Sequence, residues 1–296
     1  MKILNFGSLN LDYTYQVDHF VRPGETEASF SRTLACGGKG LNQSVALAKS
    51  GAEVYHAGAV GVQDGAILLD TLNRSGVNTQ FVSQLDNTPS GSAFIQVTPG
   101  GENCIVLDGG ANQAVSRTQI DDVLSHFVNG DWLVLQNEIS ELPYLMEKAH
   151  DIGMKIVLNP SPMNATVQKM PLGYVDYFLL NEEEAAVLAS NAQSADVLEE
   201  LSSRFPNAVI IVTLGAKGSV ALKDGIRYNQ EAYPVKAIDT VGAGDTFTGF
   251  LIGSLAEGVD LRDAMRLASK ASSISVTRKG ASTSIPELKE VIAALS

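Results

Sequence analysis

The sequence is poor in cysteine, tryptophan and histidine: its 296 residues include two, one and four of them. Two thiols, Cys36 and Cys104, cannot make a disulfide framework and read as free thiols of a reducing cytosol. The histidines, His19, His56, His126 and His150, show no metal-ligand spacing. Positive charge is also scarce, with 21 Lys and Arg against 33 Asp and Glu, a formal charge of −12. That balance excludes a general nucleic-acid binder, whose affinity for phosphate backbones comes from Lys and Arg. It leaves room for a nucleotide, because backbone amides and a metal hold phosphates within a net anion. No apolar run reaches the ~18 residues of a membrane span. The first seven residues lack the apolar core and cleavage site of a secretory leader. A cytoplasmic protein with no membrane partner is the expectation. Internal repeats, low-complexity tracts and Pro/Ser-rich linkers are missing as well.

What is present is an ordinary globular composition, 45% hydrophobic and 18% charged. Short β-branched runs at 3–7, 54–60, 132–136, 155–158, 177–180 and 209–214 read as strands. Helical patterns fall between them at 41–50, 67–75, 142–151 and 183–190. Such alternation predicts a mostly parallel sheet covered by helices on both faces, as one α/β domain over 1–296. Residues 243–296 are nearly all helical in pattern. The stretches 13–34 and 92–107 break the alternation and read as strands and turns, the second around Thr98-Pro99-Gly100-Gly101. Both are expected to form a small β layer beside the main sheet, usable as a lid.

In an open parallel sheet, ligands bind beyond the carboxyl ends of the strands. Asn10 and Asp12 follow the first apolar run at a spacing of two, which puts both on one side of an extended chain. Glu138, Asn159, Asn181 and Thr213 follow or end later runs. Any one of these alone is more often a cap or turn residue. Gathered on one sheet edge, amides, hydroxyls and carboxylates suit a ligand covered in hydroxyls.

Two Gly-rich segments sharpen the reading. Gly37-Gly38-Lys39-Gly40 precedes a helix carrying Asn42, but Lys39 is followed by Gly rather than Ser or Thr, so it is no Walker loop. In Asp239-Thr240-Val241-Gly242-Ala243-Gly244-Asp245-Thr246-Phe247, glycines open a long helix and a carboxylate sits in its first turn. Amides there turn toward an anion and the helix N-terminus adds partial positive charge, so Asp245 reads as a base beside an anion hole. An Asp so placed is often only a cap. The dinucleotide fingerprint fails at both Gly7-Ser8-Leu9-Asn10 and Gly242-Ala243-Gly244, where Phe247 takes the third glycine's place.

Together these segments resemble the ribokinase (PfkB-type) family of carbohydrate kinases over nearly the whole chain. The likeness also runs through Pro23-Gly24-Glu25-Thr26, Gly109-Gly110-Ala111-Asn112, Asn181-Glu182-Glu183-Glu184, Thr213-Leu214-Gly215 and Thr277-Arg278-Lys279-Gly280-Ala281. The resemblance implies a three-layer α/β sandwich with a mostly parallel central sheet, plus a β lid that doubles as a homodimer interface. It implies transfer of the ATP γ-phosphoryl group to a sugar, with ribose favoured over fructose, 2-keto-3-deoxygluconate or a nucleoside. A sugar or nucleotide sensor without catalysis is the alternative of another class, and an intact Asp245 speaks against it.

Carried over residue by residue, the resemblance assigns Asn10, Asp12, Gly38, Lys39, Asn42 and Glu138 to the sugar. Asp245 becomes the base, with the amides of Gly242, Ala243 and Gly244 as the anion hole. Asn181 and Glu184 hold Mg²⁺ and phosphates, largely through water, and Thr213 and Gly215 line the nucleotide site. Ser269 stands where the family often offers Asn or His near the adenine. Asp239, Val241, Ser275, Arg278, Gly280 and Ser284 surround an activating K⁺, several by their carbonyls. Without the resemblance, Arg278-Lys279 reads as a solvated helix end, and Leu107-Asp108 departs from the family's usual residues before Gly109.

Overall fold

The computed structural model describes residues 1–189 and 196–296. The chain opens with β1 (Ile3–Phe6), then β2 (Asn10–Gln16) and β3 (Ser31–Gly37). Helix α1 (Lys39–Lys49), β4 (Val54–Gly61), α2 (Ala66–Arg74) and β5 (Asn78–Leu85) follow. A hairpin, β6 (Gly91–Val97) and β7 (Asn103–Asp108), leads through a 3₁₀ turn to α3 (Arg117–Leu124). Next come β8 (Trp132–Gln136), α4 (Leu142–Ile152), β9 (Lys155–Asn159), β10 (Tyr177–Asn181) and α5 (Glu182–Ala189). After α6 (Val197–Arg204) lie β11 (Val209–Thr213), β12 (Ser219–Lys223) and β13 (Ile226–Gln230). Helices α7 (Ala243–Ala256), α8 (Leu261–Ser275) and α9 (Leu288–Leu295) complete the chain.

The main sheet has nine strands in the order β13-β12-β11-β10-β9-β8-β1-β4-β5. From β11 to β5 every neighbour is parallel, and only β12 and β13 are added antiparallel. Central strands are buried on both faces, which is why they read as continuous apolar runs. Alternate residues feed two cores. Leu4, Phe6, Leu133, Leu135 and Ile156 face one, which takes in α3 to α6; Ile3, Trp132, Val134 and Val157 face the other, with α1, α2, α7 and α8. Complete burial of side chains such as Phe6, Trp132 and Phe250 is worth roughly 2–3 kcal/mol each. The result is the expected three-layer sandwich.

The second sheet, β3-β2-β6-β7, stands apart from these layers. Its strands extend beyond 13–34 and 92–107 at both ends, reaching Asn10, Gly37, Gly91 and Asp108. Asn10 and Asp12 therefore lie within this sheet, not in a turn after β1. The helix read at 183–190 occupies Glu182–Ala189, and Ser190 lies outside the described residues. The C-terminal region is less helical than its pattern, because α8 stops at Ser275 and 276–287 is turns and a short 3₁₀ helix. Arg278 is accordingly not a solvated helix end. It is half-buried in that connection and paired with Glu290 of α9.

Candidate functional site

Helix α7 starts after Gly242, whose φ of 75° is a left-handed conformation natural to glycine. The turn brings Asp245, the third residue of α7, to the carboxyl edge of the sheet, where it is buried to 7% exposure. Helix α1 packs along α7 and supplies its partners. Asn42 Nδ2 donates to Asp245 Oδ2 at 3.0 Å, and Gln43 Nε2 donates to Oδ1 at 2.9 Å. Asn42 Oδ1 is buried without a partner, an acceptor left for a ligand hydroxyl.

A cavity of about 150 Å³ opens at the N-terminus of α7. Lys39, Asn159, Asn181, Glu184, Thr213, Thr240 and residues 242–245 line it. First-turn amides of a helix lack intrahelical acceptors, so this wall is built for an anion. Among them the Ala243 N–H turns back to the Thr240 carbonyl at a long 3.3 Å. Burial alone would lower the Lys39 pKa, but the charges of Asp245, Glu138 and Glu184 outweigh it and hold the ammonium above its usual range. Lys39 is thus a fixed cation among three carboxylates.

On the opposite wall, Asn181 and Glu184 exchange hydrogen bonds. Glu184 Oε2 accepts from the Asn181 N–H at 3.0 Å, and Asn181 Oδ1 accepts from the Glu184 N–H at 2.8 Å. This reciprocal cap holds the first turn of α5. Both side chains still line the cavity, so the capping and ligand roles coexist. Carboxylate and amide oxygens of this kind suit Mg²⁺ bound through water.

Lys39, Asn42 and Glu138 lie around Asp245, and Gly38, Asn10 and Asp12 adjoin them, Gly38 against the Asn10 backbone and Asp12 near Glu138. Gly40 makes this possible: an added Cβ would meet the Ser8 N at 2.3 Å, so only glycine lets α1 approach the 7–9 turn this closely. Glu138 Oε2 accepts from the Lys39 N–H at 3.0 Å and from the Ser8 hydroxyl. Desolvation pushes the Glu138 pKa up despite these bonds. Burial first, and Glu138 second, raise Asp12 to about 6. Asn112 orients Asn10, donating to its Oδ1 at 2.7 Å while accepting from the Leu9 N–H at 3.0 Å.

The segments expected around a monovalent cation also meet. Asp239 Oδ1 accepts from the Val241 N–H at 3.0 Å and Oδ2 from the Gly280 N–H at 2.9 Å. The Val276 carbonyl accepts from the Ile238 and Asp239 amides. Ser275 and Ser284 are buried alongside, and the Arg278 side chain points to Glu290. The Asp239 carboxylate and the Val276 carbonyl are hard oxygen donors, a type that fits K⁺ better than a transition metal.

The sequence matches the pfkB family of carbohydrate kinases over residues 1–288. The chain belongs to that family. It is 34% identical to a ribokinase of Haemophilus influenzae over 97% of this chain and 95% of the relative. Among solved structures, a Cryptococcus neoformans ribokinase in complex with ADP superimposes with a TM-score of 0.87 at 31% identity, covering 99% of both chains. An Arabidopsis thaliana ribokinase complexed with ribose and ATP does so with 0.87 at 26% identity, covering 99% of this chain and 98% of that one. Membership makes the chain an ATP-dependent sugar kinase of the ribokinase-like fold.

A second, larger cavity adjoins the first. It is about 520 Å³, shares Thr213, Thr240, Ala243 and Gly244 with the first, and is lined further by Gly215, Tyr233, Val235, Phe247, Ser269 and Val276. Thr213 Oγ1 is turned to the Leu180 carbonyl at 3.3 Å, and Gly215 has φ 57° at the following turn. Sequence reasoning missed the 232–237 wall, an extended segment with no periodicity to mark it. It also missed Gln43, although Gln43 neighbours Asn42 and touches the same carboxylate.

Proposed function

We propose that this enzyme phosphorylates D-ribose at the 5-hydroxyl, converting ATP to ADP. The observation that carries the reading is the seat of Asp245, a buried carboxylate held by Asn42 and Gln43 that lines the cavity at the start of α7. A base held there takes the hydroxyl proton as the oxygen attacks the γ-phosphorus. The P–O bond to ADP breaks, and the proton later leaves to solvent. Phosphoryl transfer demands in-line placement and charge stabilisation above all. The amides of Gly242, Ala243 and Gly244 face the charge on the transferring group, and the Lys39 ammonium stands beside them. Asn10, Asp12, Gly38, Lys39, Asn42 and Glu138 hold the sugar; Thr213, Gly215 and Ser269 border the nucleoside.

Asn181 and Glu184 would hold Mg²⁺ through water, and the ion would supply positive charge to the phosphate oxygens. Asp239, Val241, Ser275, Arg278, Gly280 and Ser284 would hold K⁺, which would stiffen the turn that leads to Gly242, Ala243 and Gly244. The small sheet acts as lid and as homodimer surface. Leu34, Tyr13, Phe94 and Val106 lie opposite one another across all four of its strands, forming an apolar stripe with Val106 66% exposed. An apolar sheet of this kind is a template for association unless covered, and a second copy covers it. The free thiols of Cys36 and Cys104 suit a reducing cytoplasm, and among the described residues no helix is long and apolar enough to cross a membrane.

The deciding experiment is ATP turnover with Mg²⁺ and K⁺ on D-ribose, fructose, 2-keto-3-deoxygluconate and adenosine. A clear preference for ribose in kcat/KM is expected. A larger kcat/KM on another acceptor overturns ribose, and no turnover on any of them overturns the kinase reading in favour of a sensor.

A further inference from the structure

Behind Asp245 runs a chain of buried polar side chains, of which only Asn159 also lines the cavity at the start of α7. Gln43 Nε2 donates to Asp245 Oδ1 at 2.9 Å and to Asn159 Oδ1 at 3.1 Å. Gln43 Oε1 accepts from Gln136 Nε2 at 2.7 Å, and Gln136 Nε2 also donates to Asn5 Oδ1 at 2.9 Å. Asn5 Nδ2 then donates to the Gly40 carbonyl at 2.7 Å and to Ser44 Oγ at 2.8 Å. Ser44 Oγ lies 2.7 Å from His56 Nδ1. Asn5, Gln43, Gln136, Ser44 and His56 are all at 0–1% exposure.

The direction of this chain is forced. An ionised carboxylate only accepts, so Gln43 must turn its NH₂ to Asp245 and its oxygen away. That oxygen needs a donor, which obliges Gln136 to present its own NH₂, and Asn5 in turn to present its oxygen. Asn5 is then left with its NH₂ toward Gly40 and Ser44, where two acceptors stand. Asn159 agrees, since its Nδ2 donates to the Leu179 carbonyl at 3.0 Å and leaves Oδ1 for Gln43. Full burial drops the His56 pKa to about 4 against the opposing pull of the Gly7 carbonyl, so the ring beside Ser44 is neutral. Each of these amides makes at least two of the bonds, so a flip breaks them in a buried site.

We infer that Gln43 is a positioning residue for the phosphoryl-transfer base, and that Gln136 and Asn5 set its amide so that Asp245 is held in one plane and supplied with a donor. The inference rests on Asp245 being that base. Asn42 fixes the other carboxylate oxygen and keeps an unpaired acceptor of its own, whereas the bonds of Gln43 all run to Asp245 and to the network behind it. The charged groups facing Asp245 are Lys39 from α1, Glu138 after β8 and Glu184 from α5, with Asp12 of β2 beside Glu138. None is altered by a substitution at Gln43 or Gln136.

The test compares wild type with Gln43→Met, Gln136→Met and Asp245→Asn, measuring kcat, both KM values and the pH profile of kcat with ribose and ATP. Methionine keeps volume and removes the donors. For Gln43→Met, kcat is expected to fall about tenfold to a hundredfold with the KM for ATP unchanged. The acid limb should move up by about one pH unit, because a carboxylate that loses a donor binds its proton more tightly. Gln136→Met, one bond removed, should move both in the same direction by less, and it carries the test if circular dichroism shows Gln43→Met unfolded. An unmoved acid limb in folded Gln43→Met, or in Gln136→Met in its place, overturns the inference, even if kcat drops. Normal turnover in Asp245→Asn instead overturns the base assignment itself.

Discussion

Gly249 of α7 lies directly against Ala46 of α1: a methyl group on Gly249 would sit 2.3 Å from Ala46 Cβ and 2.7 Å from its carbonyl carbon. The contact sets how closely the helix bearing Asp245 meets the helix bearing Asn42 and Gln43. Gly249→Ala must therefore push the helices apart. Overpacking costs about 1–3 kcal/mol and alanine's helix propensity returns up to about 1. A net loss of about 1 kcal/mol in denaturant unfolding is expected, with lower kcat as the Asn42 and Gln43 bonds lengthen. Unchanged stability and turnover would show that the two helices are free to adjust.

Asp245→Asn removes the proton acceptor while keeping shape and the sugar's surroundings. Turnover should drop by about two to four decades, with the ribose Kd by calorimetry within a few-fold of wild type. Near-normal kcat would take Asp245 out of the base role.

Asp12 gives acidity a specific effect on sugar capture. Its carboxyl titrates at about 6 rather than 3.8, through burial first and Glu138 second. As pH falls through that value the free enzyme loses a charged acceptor, so kcat/KM for ribose should decline by up to about tenfold per unit while the KM for ATP holds. Stability runs the other way. A folded-state pKa above the unfolded one means the folded chain binds the proton more tightly, so this contribution is fully present below about 3.8 and lost as pH rises through about 6. Asp12→Asn should flatten the sugar profile between roughly pH 5 and 7; a profile with the same slope in the variant would assign it to Glu138 or Lys39.

Val106 ends the exposed apolar stripe on the edge strand β7, all six residues of which are exposed. Val106→Lys should shift the protein from dimer to monomer in light scattering at micromolar concentration. A wild type that is already monomeric removes the dimer from the account.

Asp239 ties the 239–241 turn to the 276–284 connection through the Gly280 amide. Turnover should be faster in K⁺ than in Na⁺ at equal ionic strength, and the difference should vanish in Asp239→Ala. Equal rates in both salts with the wild type would leave Asp239 a purely structural clamp.

Much of this architecture was legible because it rests on burial. Residues 132–135 are apolar on both faces and read as a central strand. β5 was not legible: Asn78, Gln80, Ser83 and Gln84 dilute its pattern at an exposed sheet edge. β2 was read three residues short for a related reason, since Asn10 and Asp12 are polar groups turned into a pocket and look like loop residues. In the site, motifs at both ends of the chain pointed to Asn42 and Asp245, and Glu138 to a polar residue following a strand. The Asn5–Gln136–Gln43 chain left no such mark, because its members lie 93 to 202 residues from their partners, Asn5 and Gln136 sit in apolar strands and Gln43 is one polar residue among neighbours of its kind.

The two ligand pockets are anchored differently. The nucleoside cavity is walled by β11, α7, α8 and the connection before α7, all of the main body. The residues proposed for the acceptor are divided: Asn10 and Asp12 belong to the small sheet, Asn42 and Asp245 to helices α1 and α7. On that proposal, a rigid swing of the small sheet would leave affinity for ATP intact while dismantling the binding site for the sugar. Acceptor affinity becomes a gauge of how the sheet is docked, and whatever tethers the sheet, a second subunit included, tunes the enzyme's appetite for sugar without touching its nucleotide.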